Sequence, residues 1–580
     1  MSTTGIYGLS GSGIDVDSMV KVGMMSKQNQ YDKMYKEQVK NEWMKEAYSD
    51  LYSSVNTFNQ STLSTYKMSS TTSPMTATST SEGVATATAN ADAANMSHTV
   101  NVTAIATNAY IQTNSSGIAR DSSATNQKSI YLKDLIASAD SPTDYSTMSD
   151  TDKQKVALSF TISDGASGGS NTTTKEISFT YKDIYESNQT LNDLATKIKN
   201  SGVNIQASYD SVNDSFSLYQ KTGGKDNQIN ITVTQRADAS GDVTENGVTY
   251  DKRSDDRART LLNNLNLAKV TTTTKDGTTT QSLTDLDKFN TTYLTTQTIG
   301  ASGTDGSVTI DGKTYTTTGS KVTVGNVAYT LGGVGSTTVS VAQDTDKVVE
   351  NVKKFVEDYN KMIDGLNTKY YERQYSDYGV LTKTQENGMT QDQITKWNEK
   401  AKSGLLYHDT RLGKIISSMR EALYTPVEGT DSNYNTMMSL GITSSTDQGH
   451  IKLDETKLKK ALAADPNCVR SVFSASGDVT TTNADGTTTT TTDYDKEGVM
   501  NRISDALYKN LKTLKSYAGD STETSDGSTL GTLIEQLKTK MSDFKTKMTA
   551  FENALYDKYD AMESAIQKLS VQLGYITGGN

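Results

Sequence analysis

The chain has 580 residues, with 57 Lys and Arg against 68 Asp and Glu and a net charge of -11. That length predicts roughly three or four domains, and the acidic balance argues against nucleic acid and against a polybasic membrane contact, both of which need a basic face. A single cysteine, Cys468, excludes an intrachain disulfide framework. No apolar run reaches the roughly 18–20 residues that span a bilayer, so no membrane insertion is expected. The opening MSTTGIYGLSGSGIDVDSMV has neither the basic start nor the apolar stretch of a secretory signal peptide; export, if it occurs, is expected by another route.

Residues 15–66 read as helix. Met44, Tyr48, Leu51, Val55 and Phe58 form an apolar face at helical spacing, continued less regularly by Tyr31 and Met34 and interrupted by Glu37 and Asn41. The period then changes. VATATANA and TVNVTAIA, within 84–104, alternate as strands do and put Val100, Val102 and Ala104 on one face. Residues 107–150 are polar and read as loop. From 155 to 341 strand candidates follow one another, among them ALSFTIS, EISFTY, SFSLYQ, INITVTQ and KVTVGNVAYTLGG. One short helix, TLNDLATKIKN, interrupts them, with Thr190 to cap it and Gly202 to close it. Asp-Gly pairs at 276–277, 305–306 and 311–312 suit tight hairpin turns.

Helix resumes near residue 344, where Val349, Val352, Val356, Tyr359, Ile363 and Leu366 share a face behind Asp344 and Asp346. Further helices are expected at about 410–424, 454–464 and 499–517, and a polar Thr-rich hairpin near 480–495 around Asp485-Gly486. The C-terminal stretch carries the strongest pattern. Ile534, Leu537, Met541, Phe544, Met548, Phe551, Leu555, Met562, Ile566, Leu569, Leu573 and Ile576 alternate by three and four, failing only at Lys558. Such a heptad seam marks a coiled coil or a long bundle helix, and either needs a partner.

Chemistry-bearing motifs are scarce. His98, His408 and His450 are isolated, outside any metal-binding spacing, and read as surface or packing residues. Cys468 is expected in a loop beside Pro466, between a helix and VRSVF, with no catalytic signature around it. GLSGSGID lacks the Lys-Ser/Thr pair of a phosphate loop, and DTDKVVE lacks the ligand spacing of a calcium loop. The expectation is a non-enzymatic assembly protein with no cofactor and no metal.

The two ends of the chain resemble a known family. GLSGSGIDVDSMVK followed by WMKEAYSDLYSSVNTF, with Trp43, Lys45, Glu46, Ala47 and Tyr48, resembles the N-terminal signature of the bacterial flagellar filament-capping proteins (FliD, hook-associated protein 2). KSGLLYHDTRLGKIISSMREAL and SLGITSSTDQGHIKLDETKLKKALAADPNCVRSVF look like the family's C-terminal domain, and TLNDLATKIKNSGVNIQASYD resembles a motif of hook- and flagellin-associated proteins. The Thr-rich insert near 480–495 departs from the pattern.

The resemblance implies an α+β multidomain fold. Its expected parts are an N-terminal helical leg segment (1–66), a helix-rich leg domain in two parts (67–110 and 341–525), inserted β-rich, β-sandwich-like head domains (111–340, two of them), and a C-terminal coiled-coil leg (526–580). It implies a cap at the filament tip, exported through the flagellar type III route to the cell exterior. The partners it implies are further copies of the chain in a ring, commonly a pentamer; flagellin and the filament end; an export chaperone; and, for some members, host mucin or cell surfaces. The self-association seam expected is Leu537 to Leu573 on the C-terminal helix, with the Met44–Phe58 face opposite it. Another axial protein, of the hook-filament junction or flagellin type, and a surface adhesin are the alternatives.

Overall fold

The computed structural model describes residues 15–120, 130–136, 145–165, 172–236, 241–275, 278–292, 295–446, 448–482, 487–519 and 526–577. The chain divides into two compact units: a helix-rich unit of 1–74 with 344–580, and a β-rich unit of 75–343.

In the helix-rich unit the first helix runs Val16–Thr57 and passes into a π-helical turn, Phe58–Leu63. Asp15 caps it, its carboxylate accepting from the Ser18 amide at 3.0 Å and the Ser18 hydroxyl at 2.6 Å. Those two bonds hold the Asp15 carboxyl below the usual carboxylate range. Aspartates start the later helices in the same way: Asp344 before Thr345–Tyr370, Asp409 before Thr410–Tyr424 and Asp454 before Glu455–Ala464. Val499–Ala518 and the long Thr529–Thr577 complete the set of expected helices. The helix Gln391–Lys402 was not expected. Its apolar residues are few, and none of its side chains is buried. Cys468, expected in a loop, instead begins a helix, Cys468–Ser474.

The core of this unit gathers Val352, Phe355, Tyr359 and Ile363 with Leu412, Ile415 and Met419, and with Val472, Phe473, Ile503 and Leu507. Phe355 sits near its middle, edge-on to Tyr66 and to Phe473, each at 5.3 Å between ring centroids. The Cys468 thiol is fully buried, and that burial pushes its pKa up to about 12.

The β-rich unit holds two hydrophobic cores, one nested within the other in sequence. The outer one is a pair of antiparallel sheets. Its larger sheet runs Met75–Ser79, Gly335–Gln343, Ser97–Ala104, Gly306–Ile310, Lys313–Thr317, and its smaller one Lys321–Val324, Val327–Leu331, Ala85–Ala89. Val100, Val102, Val308, Ile310, Tyr329 and Val339 fill the space between. Strands before residue 105 thus pair with strands after 305. The expected placement of 67–110 in the helix-rich domain is corrected for the strands from Met75 onward, because their ladder partners lie at 306–343.

The inner core spans 109–301. One sheet orders Val243–Glu245, Val248–Tyr250, Val156–Ser163, Gln228–Val233, Gln297–Ser302, with Thr174–Thr180 also on Val156–Ser163. A second orders Thr278–Asp285, Leu267–Lys275, Asn108–Thr113, Ser215–Gly223, Ile205–Asp210. The strand Asn108–Thr113 lies where loop was expected. The helix Leu191–Asn200 starts on a capping box of Thr190 and Asp193, and Gly202 follows it at φ +92°.

A second helix, Ser254–Asn264, was not expected in this block. Its buried face carries Arg257 and Arg259 beside Leu261 and Leu262, so the apolar pattern is broken by charge. The arginines find partners inside the unit, although both Nε atoms stay without a hydrogen bond among the described residues: Arg257 bonds the Asp251 carboxylate at 2.8 Å and the Ala157 carbonyl at 3.1 Å, and Arg259 the Thr295 carbonyl at 2.9 Å.

Of the Asp-Gly pairs, Asp311-Gly312 makes a hairpin turn with both residues at positive φ, +49° and +80°. Gly306, by contrast, opens a strand. The pair at 276–277 lies outside the described residues.

The paired terminal helices as the candidate functional site

The N- and C-terminal helices run antiparallel beside one another. Glu42 lies 4.0 Å from the Lys538 ammonium, Lys27 stands over the rings of Phe551 and Phe544 at 5.6 and 6.0 Å, and the Tyr556 hydroxyl donates to Asp17 at 3.1 Å. Gly23 marks a close approach: a Cβ there would fall 2.8 Å from Leu555 Cδ1. Lys45 pairs with Asp526, just ahead of the C-terminal helix. Burial works to raise the Asp526 pKa, but the Lys45 ammonium and the Ser528 hydrogen bonds outweigh it and hold the carboxyl below its ordinary value.

Cover along the C-terminal helix is graded. Ile534, Leu537 and Met541 are buried; Phe544, Met548, Leu555, Met562 and Ile566 are half-buried; and Phe551 is exposed at the edge of that cover. Leu569, Leu573 and Ile576 are 62%, 61% and 79% exposed. Since Tyr556 already meets Asp17, the helix beyond about residue 560 runs past the first described turn of its partner.

The face expected opposite this seam lies elsewhere. Tyr48, Leu51, Val55 and Phe58 are buried in the core of the helix-rich unit, with Met44 packed against it. The Tyr48 hydroxyl donates to Asp409 at 2.6 Å, and its ring meets Tyr517 edge-on at 5.3 Å, with the Arg411 guanidinium over Tyr517 at 3.5 Å. The N-terminal helix therefore has two jobs. Its last turns, from Tyr48 on, belong to the core, and the stretch before them meets the C-terminal helix through residues such as Asp17, Gly23, Lys27 and Glu42. Sequence reasoning missed these because they are small or charged. The signal available was Gly23, a glycine inside an otherwise uninterrupted helical stretch.

The three histidines sit in separate settings. His98 is buried, its Nδ1 2.6 Å from Asp311, and His450 Nε2 is 2.6 Å from Asp364. His408, at φ +51°, lies among the rings of Tyr370, Tyr371 and Tyr407. No helix among the described residues is long and apolar enough to cross a membrane.

Paired terminal helices on a helical core, with a β-rich block inserted between its parts, define a multidomain α+β chain closed by its own ends. The chain belongs to the flagellar hook-associated protein 2 family: the family's N-terminal profile matches residues 12–109 and its C-terminal profile residues 303–571, together more than half of the chain. The flagellar hook-associated protein 2 of Halalkalibacterium halodurans is 29% identical over 208 residues, 35% of this chain and 39% of that protein. The match thus spans well under half the length of that curated relative. Among solved structures, the chain is similar to the D1-D2-D3 domains of the flagellar cap protein FliD from Escherichia coli, at 17% identity and a TM-score of 0.44 over 85% of this chain and 99% of that one. It is also similar to FliD (HAP2) from Pseudomonas aeruginosa PAO1, at 15% identity and a TM-score of 0.25 over 52% and 98%.

Proposed function

We propose that this chain is the cap at the distal tip of the bacterial flagellar filament, where it retains exported flagellin and promotes its folding and polymerisation so that the filament elongates. Family membership supports the reading, and one structural observation carries it. The C-terminal helix presents Leu569, Leu573 and Ile576 to solvent on the same face that is buried at Leu537 and Met541. An apolar strip on a single solvated helix is unfavourable, and docking it on matching helices of the filament end removes it from water. The paired helices are then the leg, and the β-rich unit supplies the head.

The role is structural, without catalysis or cofactor. The partners are further copies of the chain in a ring, a pentamer as is common in the family; flagellin at the filament end; and a chaperone before export. Host mucin or a cell surface is a further partner by family resemblance alone. The site of action is outside the cell at the flagellum tip, reached through the flagellar export channel.

Electron microscopy of a deletion strain tests the reading. Short or absent filaments, with flagellin monomers in the medium, are expected; filaments of normal length would overturn it.

A further inference from the structure

The Thr-rich hairpin takes no part in the leg or in the cores. Its strands Ser476–Thr482 and Thr488–Glu497 pair antiparallel, with Thr480 opposite Thr490 and Thr482 opposite Thr488, and they make a two-stranded sheet of their own. From Thr480 to Thr482 and from Thr488 to Thr492 every side chain is exposed, so this part of the ribbon has no buried face. A two-stranded ribbon with no buried face is marginal in water.

Its base, by contrast, is clamped. The Arg502 side chain is fully buried and donates to four backbone carbonyls: Tyr494 at 2.8 Å, Asp495 at 2.7 Å, Thr425 at 2.6 Å and Pro426 at 2.9 Å. Burying a guanidinium is costly unless its donors are met. Here they are met by the root of the hairpin's second strand and by the turn that follows the helix Thr410–Tyr424, so the base of the arm is held while its outer part stays exposed.

The outer edges are also unguarded. Exposed strand edges in monomeric proteins are ordinarily blunted by lysine, proline, bulges or inward charge. Among the described residues of this arm the register shifts only at its base, between Ser476 and Asp478, and the Thr480–Thr482 and Thr488–Thr492 runs contain neither charge nor proline.

We propose that this hairpin is an edge-pairing arm between copies of the chain: the outer edge of the first strand of one copy pairs antiparallel with the outer edge of the second strand of the next. The proposal rests on the self-assembly that goes with the cap reading. A second copy fits the arm because each arm offers both complementary edges. Head-to-tail pairing therefore repeats around a cyclic assembly and keeps every neighbour antiparallel. Threonine opposite threonine at every step leaves the register between copies loosely specified, so the joint tolerates a slip of two residues without new side-chain chemistry.

The test uses full-length protein. Thr480→Cys and Thr491→Cys variants, carrying different tags, are mixed and oxidised; Thr482→Cys with Thr491→Cys covers the register slipped by two residues. The buried thiol of Cys468 stays out of the exchange. Cross-links between the two variants, in excess of those within either alone, are expected. A chain in which residues 480–492 are replaced by Asn-Gly should keep its circular dichroism spectrum and need at least about tenfold more protein for half-assembly, read by light scattering.

Absence of mixed cross-links, or unchanged assembly of the shortened chain, overturns the proposal. So do cross-links that form only when flagellin is added, which would assign the arm to flagellin instead. The cap reading is separable: if the shortened chain assembles normally and restores filaments in the deletion strain, the arm proposal fails alone. If the full chain does not restore them, the cap reading fails whatever the arms do.

Discussion

The two ends of the C-terminal helix carry the same spacing of apolar residues and meet opposite fates. Leu537 and Met541 are buried against the rest of the helix-rich unit, whereas Leu569 and Leu573, in the same seam, stand in water. Periodicity therefore says that a helix has a face to cover and is silent on what covers it. Within the chain that cover depends on reach: the N-terminal helix meets its partner up to the level of Tyr556, and the seam continues beyond.

Substitutions can break this contrast. The largest effect is expected at the buried end, where Leu537→Ala should destabilise the helix-rich unit by about 2–5 kcal/mol, measured by denaturant unfolding. At the exposed end Leu573→Ala should change stability by no more than about 0.5 kcal/mol. Equal losses at the two positions would mean that the seam is covered evenly within one chain.

Between these limits lies Gly23. Gly23→Leu forces a side chain against Leu555 and should cost about 1–3 kcal/mol, seen as a lower melting temperature and earlier proteolysis of the terminal helices. No change would place the helices further apart than described.

A further small effect concerns the junction of Lys45 with Asp526. The folded pKa of Asp526 is depressed, so its contribution is present above the ordinary carboxylate range and is lost as pH falls through the folded value. The pair is partly exposed, which limits it to about 1 kcal/mol or less. Asp526→Asn should remove this part of the acid sensitivity, checked by comparing unfolding at pH 7 and pH 3. An unchanged difference between the two pH values would deny the pair any role.

A functional contrast complements these. Leu569→Asp and Ile566→Asp put a charge on the exposed strip and should abolish filament extension while leaving the β-rich unit folded, read by swimming motility and circular dichroism. Normal motility would sink the proposed docking of the strip.

Much of the helical frame was legible in the sequence because its signals are local. Asp344 and Thr190 announce helix starts through side-chain bonds to nearby amides, and the C-terminal seam repeats over many turns. What stayed hidden depended on distant partners. The Tyr48–Phe58 face looks like half of a leg, yet it belongs to the core around Phe355, and only tertiary packing decides that. The helix at Ser254–Asn264 was obscured by buried arginines whose partners lie far along the chain, at Ala157 and Thr295. The strands at Met75–Ala104 were given to the wrong domain because their ladder partners come some two hundred residues later.

That long return has one further consequence. Met75 and Gln343, the first and last residues of the β-rich unit, are register partners on adjacent strands, about 5 Å apart by the geometry of such pairs. On the other side of the cut, the Asp344 amide bonds the Pro74 carbonyl at 2.9 Å, so the helix-rich unit also has adjoining ends. Each unit closes on itself at the same place. The whole of 75–343 is a cassette that can be lengthened, exchanged or removed through a single two-stranded doorway, leaving the helical frame to keep its own core.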